Sequence, residues 1–177
     1  IAGTINIITR EPVRNSAAIS HTATSIAGSS ALHNTTDINA SIVSEDNKLG
    51  IAVFGQNTAK DAWDANGDGF TELSAISGQT MGFRGYLKTG LYSKLTAEYH
   101  HLQEFRRGGD NLDLPPHEAM IAEQTDHGIN TGGLKFDWFS KDQRHRLNAF
   151  ASLQHIERES YYGAGKDLNA YGYTNDF

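Results

Sequence analysis

Cysteine is absent from the 177 residues, so disulfides, zinc–thiolate sites and thiol nucleophiles are all excluded. Long apolar runs are also missing, because no stretch reaches the roughly 18 residues that indicate a transmembrane helix. Positive charge is scarce: 15 Lys and Arg stand against 21 Asp and Glu, and the net charge is -6. Without a basic stripe to neutralise phosphates, nucleic acid is excluded as the main partner. A membrane protein built from strands is not excluded by these absences, because lipid-facing and lumen-facing residues alternate in its strands and leave no long apolar run.

Proline occurs only three times, whereas alternation of apolar and polar residues recurs along the chain. In the stretch "LGIAVFG", for example, Leu49, Ile51 and Val53 fall on one face of a strand. Sustained periodicity of 3.6 residues is hard to find. The alternation predicts an all-β protein of about seven strands. These strands centre on residues 17–26, 36–43, 49–55, 81–88, 94–99, 134–139 and 146–155.

The connections between the predicted strands alternate between short and long. The short ones are Glu45–Lys48, Gly90–Ser93 and Lys141–Gln143, and the long polar ones are roughly 61–77, 104–127 and 159 onward. Alternate connections of an up-and-down antiparallel sheet lie at the same end of that sheet. The pattern therefore predicts one short-turn end and one long-loop end, which is the asymmetry of an outer-membrane barrel. A soluble β-sandwich whose loops differ in length is the alternative.

Aromatic residues favour the barrel interpretation. Tyr92, Trp138 and Phe139 lie next to the short turns, where an aromatic girdle at the membrane interface belongs. About seven strands are too few to close a wide barrel. We therefore expect an antiparallel up-and-down transmembrane β-barrel fragment with long outer loops and short periplasmic turns.

The opening stretch "IAGTINIITREP" resembles the end of the plug domain of TonB-dependent outer-membrane receptors. In that family a small-residue turn leads into an Ile-rich strand and then a basic residue. The resemblance implies that residues 1–15 are the end of the plug and its linker, with Ile1–Glu11 as the last plug strand. Residues 16–177 are then the N-terminal part of a barrel of about 22 strands.

The resemblance also implies a location and a function. Such a receptor lies in the bacterial outer membrane, contacts its lipid and lipopolysaccharide, and imports a scarce nutrient too large for porins. Its long loops bind the ligand outside, and the TonB–ExbB–ExbD energy-coupling complex acts on the plug from the periplasm. An enzymatic role is not expected, since no Ser/His/Asp triad, phosphate loop or carboxylate pair is evident from the spacing. An outer-membrane hydrolase is disfavoured for the same reason.

The stretch "DAWDANGDGFTELS" carries a candidate cation site. Asp64, Asn66 and Asp68 occupy positions 1, 3 and 5 of an EF-hand loop, and Gly69 follows them. Alternate oxygens in a tight loop converge on one hard cation, and Gly permits the sharp turn. Calcium is therefore the predicted cofactor. A solvated turn is the alternative, because Asp, Asn and Gly also favour turns.

The motif departs from an EF-hand at position 12, where Ala75 stands in place of the bidentate Glu, and its flanks are strands. Glu72 or Asp61 could supply further oxygens. Followed by the strand "MGFRGYLK", this loop looks like the calcium-binding loop of cobalamin receptors within the TonB-dependent family. The likeness implies that calcium orders outer loops that hold cobalamin. A ferric siderophore or haem is the alternative ligand, and a secreted calcium-binding β-sandwich for adhesion or carbohydrate binding is the alternative from another class.

Two residue pairs are candidate ligand-binding groups. Arg106 and Arg107 lie in the predicted loop 104–127, where paired guanidinium groups can grip a siderophore or a haem propionate. A solvated or lipopolysaccharide-facing patch is the alternative. Tyr161 and Tyr162 lie in the predicted region from 159 onward, and Tyr offers a large contact area at low entropic cost. Ordinary loop and girdle composition is the alternative for them.

Overall fold

The computed structural model describes residues 11–177, which form one antiparallel sheet of eight strands in chain order. The strands are β1 (Ser16–Ser25), β2 (Leu32–Val43), β3 (Leu49–Lys60), β4 (Ala75–Gly90), β5 (Ser93–Gly109), β6 (Ile121–Phe139), β7 (Arg146–Ala164) and β8 (Tyr171–Asp176). A single 3-10 turn, Pro116–Glu118, precedes β6. β1 and β8 do not pair with each other, so the sheet of the described residues is not closed. None of their helical segments is long and apolar enough to cross a membrane.

The all-β prediction is confirmed, and each of the seven predicted strands coincides with part of β1–β7. The predicted loop 104–127 is wrong, because β5 continues to Gly109 and β6 begins at Ile121. In this region both faces of the strands carry polar side chains, so alternation of hydrophobicity gives no signal. The ladder nevertheless continues as far as the pair Gly109 and Ala122. The region from 159 onward is likewise mostly strand, with β8 as the eighth.

The two ends of the sheet differ in part as predicted: 61–74 and 110–120 are long, whereas 26–31 and 165–170 have six residues, as does 140–145 at the opposite end. Residues 44–48, 91–92 and 140–145 form the connections at one end, which we call the turn end. Residues 26–31, 61–74, 110–120 and 165–170 form those at the other, the loop end. In the turn 44–48, Asn47 adopts a φ of 53° and its N–H donates to the carbonyl of Ser44. The turn is short because Asn tolerates this left-handed backbone.

One face of the sheet, the apolar face, carries rows of apolar side chains in cross-strand register. The first complete row is Leu49, Leu87, Leu95, Phe136 and Ala149; the second is Ile42, Ile51, Gly85, Ala97, Leu134 and Ala151; the third is Ala17, Ala40, Val53, Phe83, Tyr99, Gly132 and Leu153. Trp138 and Leu147 extend this band toward the turn end, and Ile19, Ile38 and Met81 extend it toward the loop end. Most of these side chains are exposed, since no second layer covers them among the described residues.

The apolar band ends abruptly toward the loops. The next row on the same face is entirely polar or glycine: His21, Thr36, Asn57, Gln79, Gln103, Gly128, Glu157 and Asn175. At the boundary, the Tyr99 hydroxyl donates to Asn130 Oδ1 at 2.7 Å, and His101 Nδ1 lies 2.9 Å from the same oxygen. Counted over the whole sheet the band spans about five rows, or roughly 27 Å along the strands, with at most four of these rows on any one strand.

The opposite face, the polar face, carries charged and amide side chains at the same levels. Arg84 Nη1 lies 2.7 Å from Glu98 Oε2, in a partly buried ion pair between neighbouring strands. Lys135 Nζ lies 3.0 Å from Asp137 Oδ1, two residues further along the same strand, β6. Alternation along β4 therefore places Arg84 on the polar face and its neighbour Phe83 on the apolar face.

Residues 11–15 cross the polar face near the turn end. Pro12 is buried beside Gly50, and Glu11 Oε1 lies 2.7 Å from Lys94 Nζ. The Asn15 side chain accepts a hydrogen bond of 2.7 Å from the N–H of Val43. Of the predicted plug strand Ile1–Glu11, residues 1–10 lie outside the described residues, and Glu11 is not in a strand.

Replacing Gly50 by Val tests the packing of this face. A Cβ atom at Gly50 collides with the ring of the directly opposite Tyr86, which is buried and cannot move freely. We expect Gly50→Val to lower the free energy of unfolding in detergent micelles by about 1–3 kcal/mol. Gly55→Val is the matched control in the same strand, because only a backbone oxygen 3.8 Å away faces its Cβ. Equal losses in both variants would contradict this account.

Candidate functional site

The connection between β3 and β4 is a folded loop fixed at both ends. Trp63 and Leu73 form a two-residue antiparallel bridge, with N–H to oxygen distances of 2.9 and 3.1 Å. Thr71 exchanges hydrogen bonds with the backbone of Gly109 at the end of β5. Ser74 donates to the carboxylate of Glu123 on β6. The acidic segment therefore projects from a closed base at the loop end of the sheet.

Three carboxylates converge at the tip of this loop. Asp64, Asp68 and Glu72 each offer an oxygen, and these oxygens all lie within 4.8 Å of one another. Asp68 and Glu72 are exposed and Asp64 is half-buried. Carboxylate oxygens at this spacing suit a hard divalent cation, which takes six to eight oxygen ligands. Backbone carbonyls and water would complete such a shell.

The backbone of the loop is wound around Asp64. Its Oδ1 accepts the N–H groups of Asn66 (3.1 Å) and Gly67 (2.6 Å), and its Oδ2 accepts that of Gly69 (2.8 Å). Gly67 and Gly69 adopt φ values of 77° and 86°, which side-chain-bearing residues rarely reach. The N–H of Gly69, followed by those of Gly67 and Asn66, lowers the pKa of the Asp64 carboxyl below its ordinary value of 3.8. Asp64 therefore organises the turn as well as offering charge.

The other predicted ligands, Glu72, Asn66 and Asp61, differ in their positions relative to the three-carboxylate cluster. Glu72 joins the cluster while its Oε2 accepts the N–H of Ala65 at 2.6 Å. Asn66 bonds to Asp68 through both its side-chain amide and its oxygen. Asp61 is turned away, because its Oδ2 accepts the N–H of Leu32 at 2.9 Å and joins this connection to β2. Asp61 therefore does not belong to the cluster.

Arg106 and Arg107 lie on β5 and not in a loop, so their side chains point to opposite faces. Arg107 is 4% exposed, and its guanidinium donates to the carbonyls of Gly108, Asp110 and Asn111. It holds the connection 110–120 against the sheet and does not face solvent. Arg106 Nη2 pairs with Glu104 on the polar face at 3.2 Å.

Tyr161 and Tyr162 lie on β7, and their side chains likewise point to opposite faces of the sheet. Tyr161 is 1% exposed and packs with Ala119 and Ala122, in a small core under the connection 110–120. Tyr162 is 64% exposed and its hydroxyl lies 3.1 Å from that of Thr125 on the polar face. Only Arg106 and Tyr162 of the four predicted residues therefore present a polar group toward the space above the polar face.

Two residues near this small core were missed from the sequence. Tyr171 packs edge-on against Tyr161 at 4.9 Å between ring centroids, and its hydroxyl lies 2.9 Å from Nδ1 of His117. The Tyr-rich composition from 159 onward was the available signal. Their pairing depends on β8, which the alternation did not reveal.

Comparison of the chain with models of protein families, with curated proteins and with solved structures gave no match in any of the three.

The geometry around Asp64 predicts how the loop responds to acid. Because the folded-state pKa is lowered, the carboxylate stabilises the turn above the unfolded value and loses this effect as the pH falls through the folded value. We expect the amide resonances of Gly67 and Gly69 to titrate with a midpoint below 3.8 in metal-free buffer. Asp64→Asn should abolish this transition, whereas Asp61→Asn should leave it in place. A midpoint at or above 3.8, or a transition that survives Asp64→Asn, would contradict the assignment.

Proposed function

We propose that this chain forms part of the barrel wall of a TonB-dependent receptor in the bacterial outer membrane, with cobalamin as its ligand. The observation that carries the proposal is the apolar band on one face of the sheet. The roughly 27 Å covered by these rows, tilted by 35–45°, correspond to a height of roughly 19–22 Å, compared with about 25 Å for the apolar band of outer-membrane barrels. A transmembrane strand needs only about 9–11 residues, so the longer β5, β6 and β7 would extend beyond the membrane.

The boundaries of the band support the same proposal. Trp138 lies at the turn end, and Tyr99 lies at the loop side with its hydroxyl bonded to Asn130. Amphipathic aromatic rings of this kind favour membrane–water interfaces. Short turns on the periplasmic side and longer loops outside are the usual arrangement of such barrels. The proposal also includes a plug strand, an energy-coupling partner and further barrel strands. These follow from the resemblance of residues 1–12 to the end of a plug domain.

A secreted β-sandwich accounts for less of the structure. In a sandwich the apolar face of one sheet packs against a second sheet about 10 Å away. Among residues 11–177 there is one sheet, and its apolar rows face outward without cover. Lipid satisfies such a face without a second layer.

Charge at the loop end favours cobalamin over an anionic iron chelate or haem. Acidic side chains outnumber basic ones there: Asp61, Asp64, Asp68, Glu72, Glu104, Asp110, Asp113, Glu118, Glu123, Asp126, Glu159 and Asp167 against Lys60, Arg106, Arg107, Arg158 and Lys166. Such a field repels anionic ligands and attracts cations. Calcium held by Asp64, Asp68 and Glu72 would offset part of this charge and brace the loop for a ligand without strong net charge. Arg106 and Tyr162 would supply contacts from the polar face.

Terbium luminescence tests the cation site, because Trp63 adjoins Asp64 and can sensitise a bound ion. We expect Tb³⁺ emission on Trp excitation that calcium displaces, that Asp64→Ala or Asp68→Ala weakens by about tenfold in affinity, and that Trp63→Phe abolishes. Asp46→Ala and Asp142→Ala, in short turns, are the matched controls, and Trp138→Phe should retain the signal. Unchanged emission in the Asp64 and Asp68 variants would reduce the cluster to a polar turn.

Calorimetric titration of cobalamin and haem into the micelle-embedded receptor, with and without calcium, tests the ligand. We expect cobalamin to bind more tightly with calcium, and this gain to disappear in Asp64→Ala. Tighter binding of haem than of cobalamin, unaffected by calcium, would overturn the cobalamin proposal. The family proposal would then rest on whether the apolar face lies in lipid.

A further inference from the structure

The polar face carries a cluster of basic side chains at the turn end, which we call the basic groove. It is lined by Lys88, Lys94, Lys135 and Arg146, one from each of β4, β5, β6 and β7, with Tyr92 and Phe139 beside them. Alternation places all four cations on the same face of the sheet. Their common location is notable because the whole chain carries a net charge of -6.

Two of the four cations already have carboxylate partners. Lys94 binds Glu11 at 2.7 Å, and Lys135 binds Asp137 at 3.0 Å. Asp137 is nearly buried and also accepts a hydrogen bond from Asn148, so its carboxylate is occupied by partners within the sheet. These pairs neutralise about half of the positive charge of the groove.

The other two cations, Lys88 and Arg146, are not neutralised by a carboxylate of the described residues. Among residues 11–177, neither Lys88 nor Arg146 makes an ion pair. The guanidinium of Arg146 lies over the ring of Phe139, 5.2 Å from its centroid, in a cation–π contact. A planar guanidinium can bind a carboxylate through two parallel N–H groups.

Glu11 shows how a peptide carboxylate enters this groove. It comes from an irregular segment that crosses the sheet, and Pro12 next to it is buried beside Gly50. An extended peptide segment with carboxylates therefore already has one binding mode on this surface. Lys88 and Arg146 offer two more positions for groups of the same kind.

We propose that the basic groove binds an acidic peptide segment of a partner protein, whose Asp or Glu side chains pair with Lys88 and Arg146. Tyr92 and Phe139 supply apolar contact area beside the charges. Complementary charge and the seated Glu11 carry the assignment, and it depends on the sheet alone and not on the receptor function proposed above. Lys88 and Arg146 come from β4 and β7, so a peptide that pairs with both must cross the intervening strands β5 and β6.

Fluorescence anisotropy of a labelled, end-blocked peptide of alternating Asp and Glu, added to the full chain in neutral detergent micelles, tests the proposal. The peptide of alternating Asn and Gln is the uncharged control and should not bind. We expect the double variant Lys88→Gln/Arg146→Gln to weaken binding by about tenfold. Lys60→Gln/Lys166→Gln, which removes equal charge at the loop end, should change it less than about twofold. Equal weakening by both double variants, or no binding by the unaltered chain, would overturn the proposal.

Two further measurements separate a peptide site from general attraction of anions. Glu11→Gln frees Lys94 and should tighten peptide binding, whereas Glu45→Gln, the same charge change in a nearby turn, should have a smaller effect. Inorganic phosphate should displace the peptide only at concentrations far above those of the peptide itself. Displacement at matched concentrations, or identical effects of Glu11→Gln and Glu45→Gln, would show a small-anion patch and overturn the assignment.

Discussion

An apolar face without a covering layer is the constraint on which the structure depends. Each square ångström of apolar surface left in water costs about 25 cal/mol, so rows of Leu, Ile, Val and Phe must meet apolar material. Within residues 11–177 no second sheet or helix supplies it. Hydrogen bonds along the ladders satisfy the backbone in the interior of the sheet, which is the condition for placing strands in lipid. Under the function proposed above, membrane lipid supplies this apolar material, and the polar face lines the inside of a barrel.

Charge divides the molecule along the strands. The loop end is acidic, and the polar face at the turn end holds the basic groove. This arrangement favours cations and neutral ligands at the loop end and anionic groups at the turn end. The carboxylates of the Asp64 loop contribute to the negative charge of the loop end, and Lys88 and Arg146 contribute to the positive charge of the basic groove. Because these two sites lie at opposite ends, changes at one site should leave the other intact.

Alternation predicted the fold where one face is apolar and failed where both faces are polar. Leu49, Ile51 and Val53 were assigned correctly because their alternation matches the observed rows. Arg107 and Tyr161 were predicted in loops, since nothing local shows that the ladder continues to them or that connection 110–120 covers them. The carboxylate cluster was predicted from spacing alone, because its geometry is local to one turn. Asp61 could not be separated from this cluster by spacing, because its hydrogen-bond partner Leu32 is distant in sequence, at the start of β2.

The most direct test of the central claim is nitroxide accessibility in lipid bilayers, which the absence of cysteine makes simple to carry out at single sites. Labels at Val53 and Leu153 would report on the apolar face, and labels at the adjacent Ala52 and Ser152 on the polar face. The account predicts that oxygen reaches the first pair and a water-soluble nickel chelate does not, with the opposite preference at the second pair. Nickel access at all four positions, or no alternation between neighbours, would contradict a sheet whose apolar face lies in lipid.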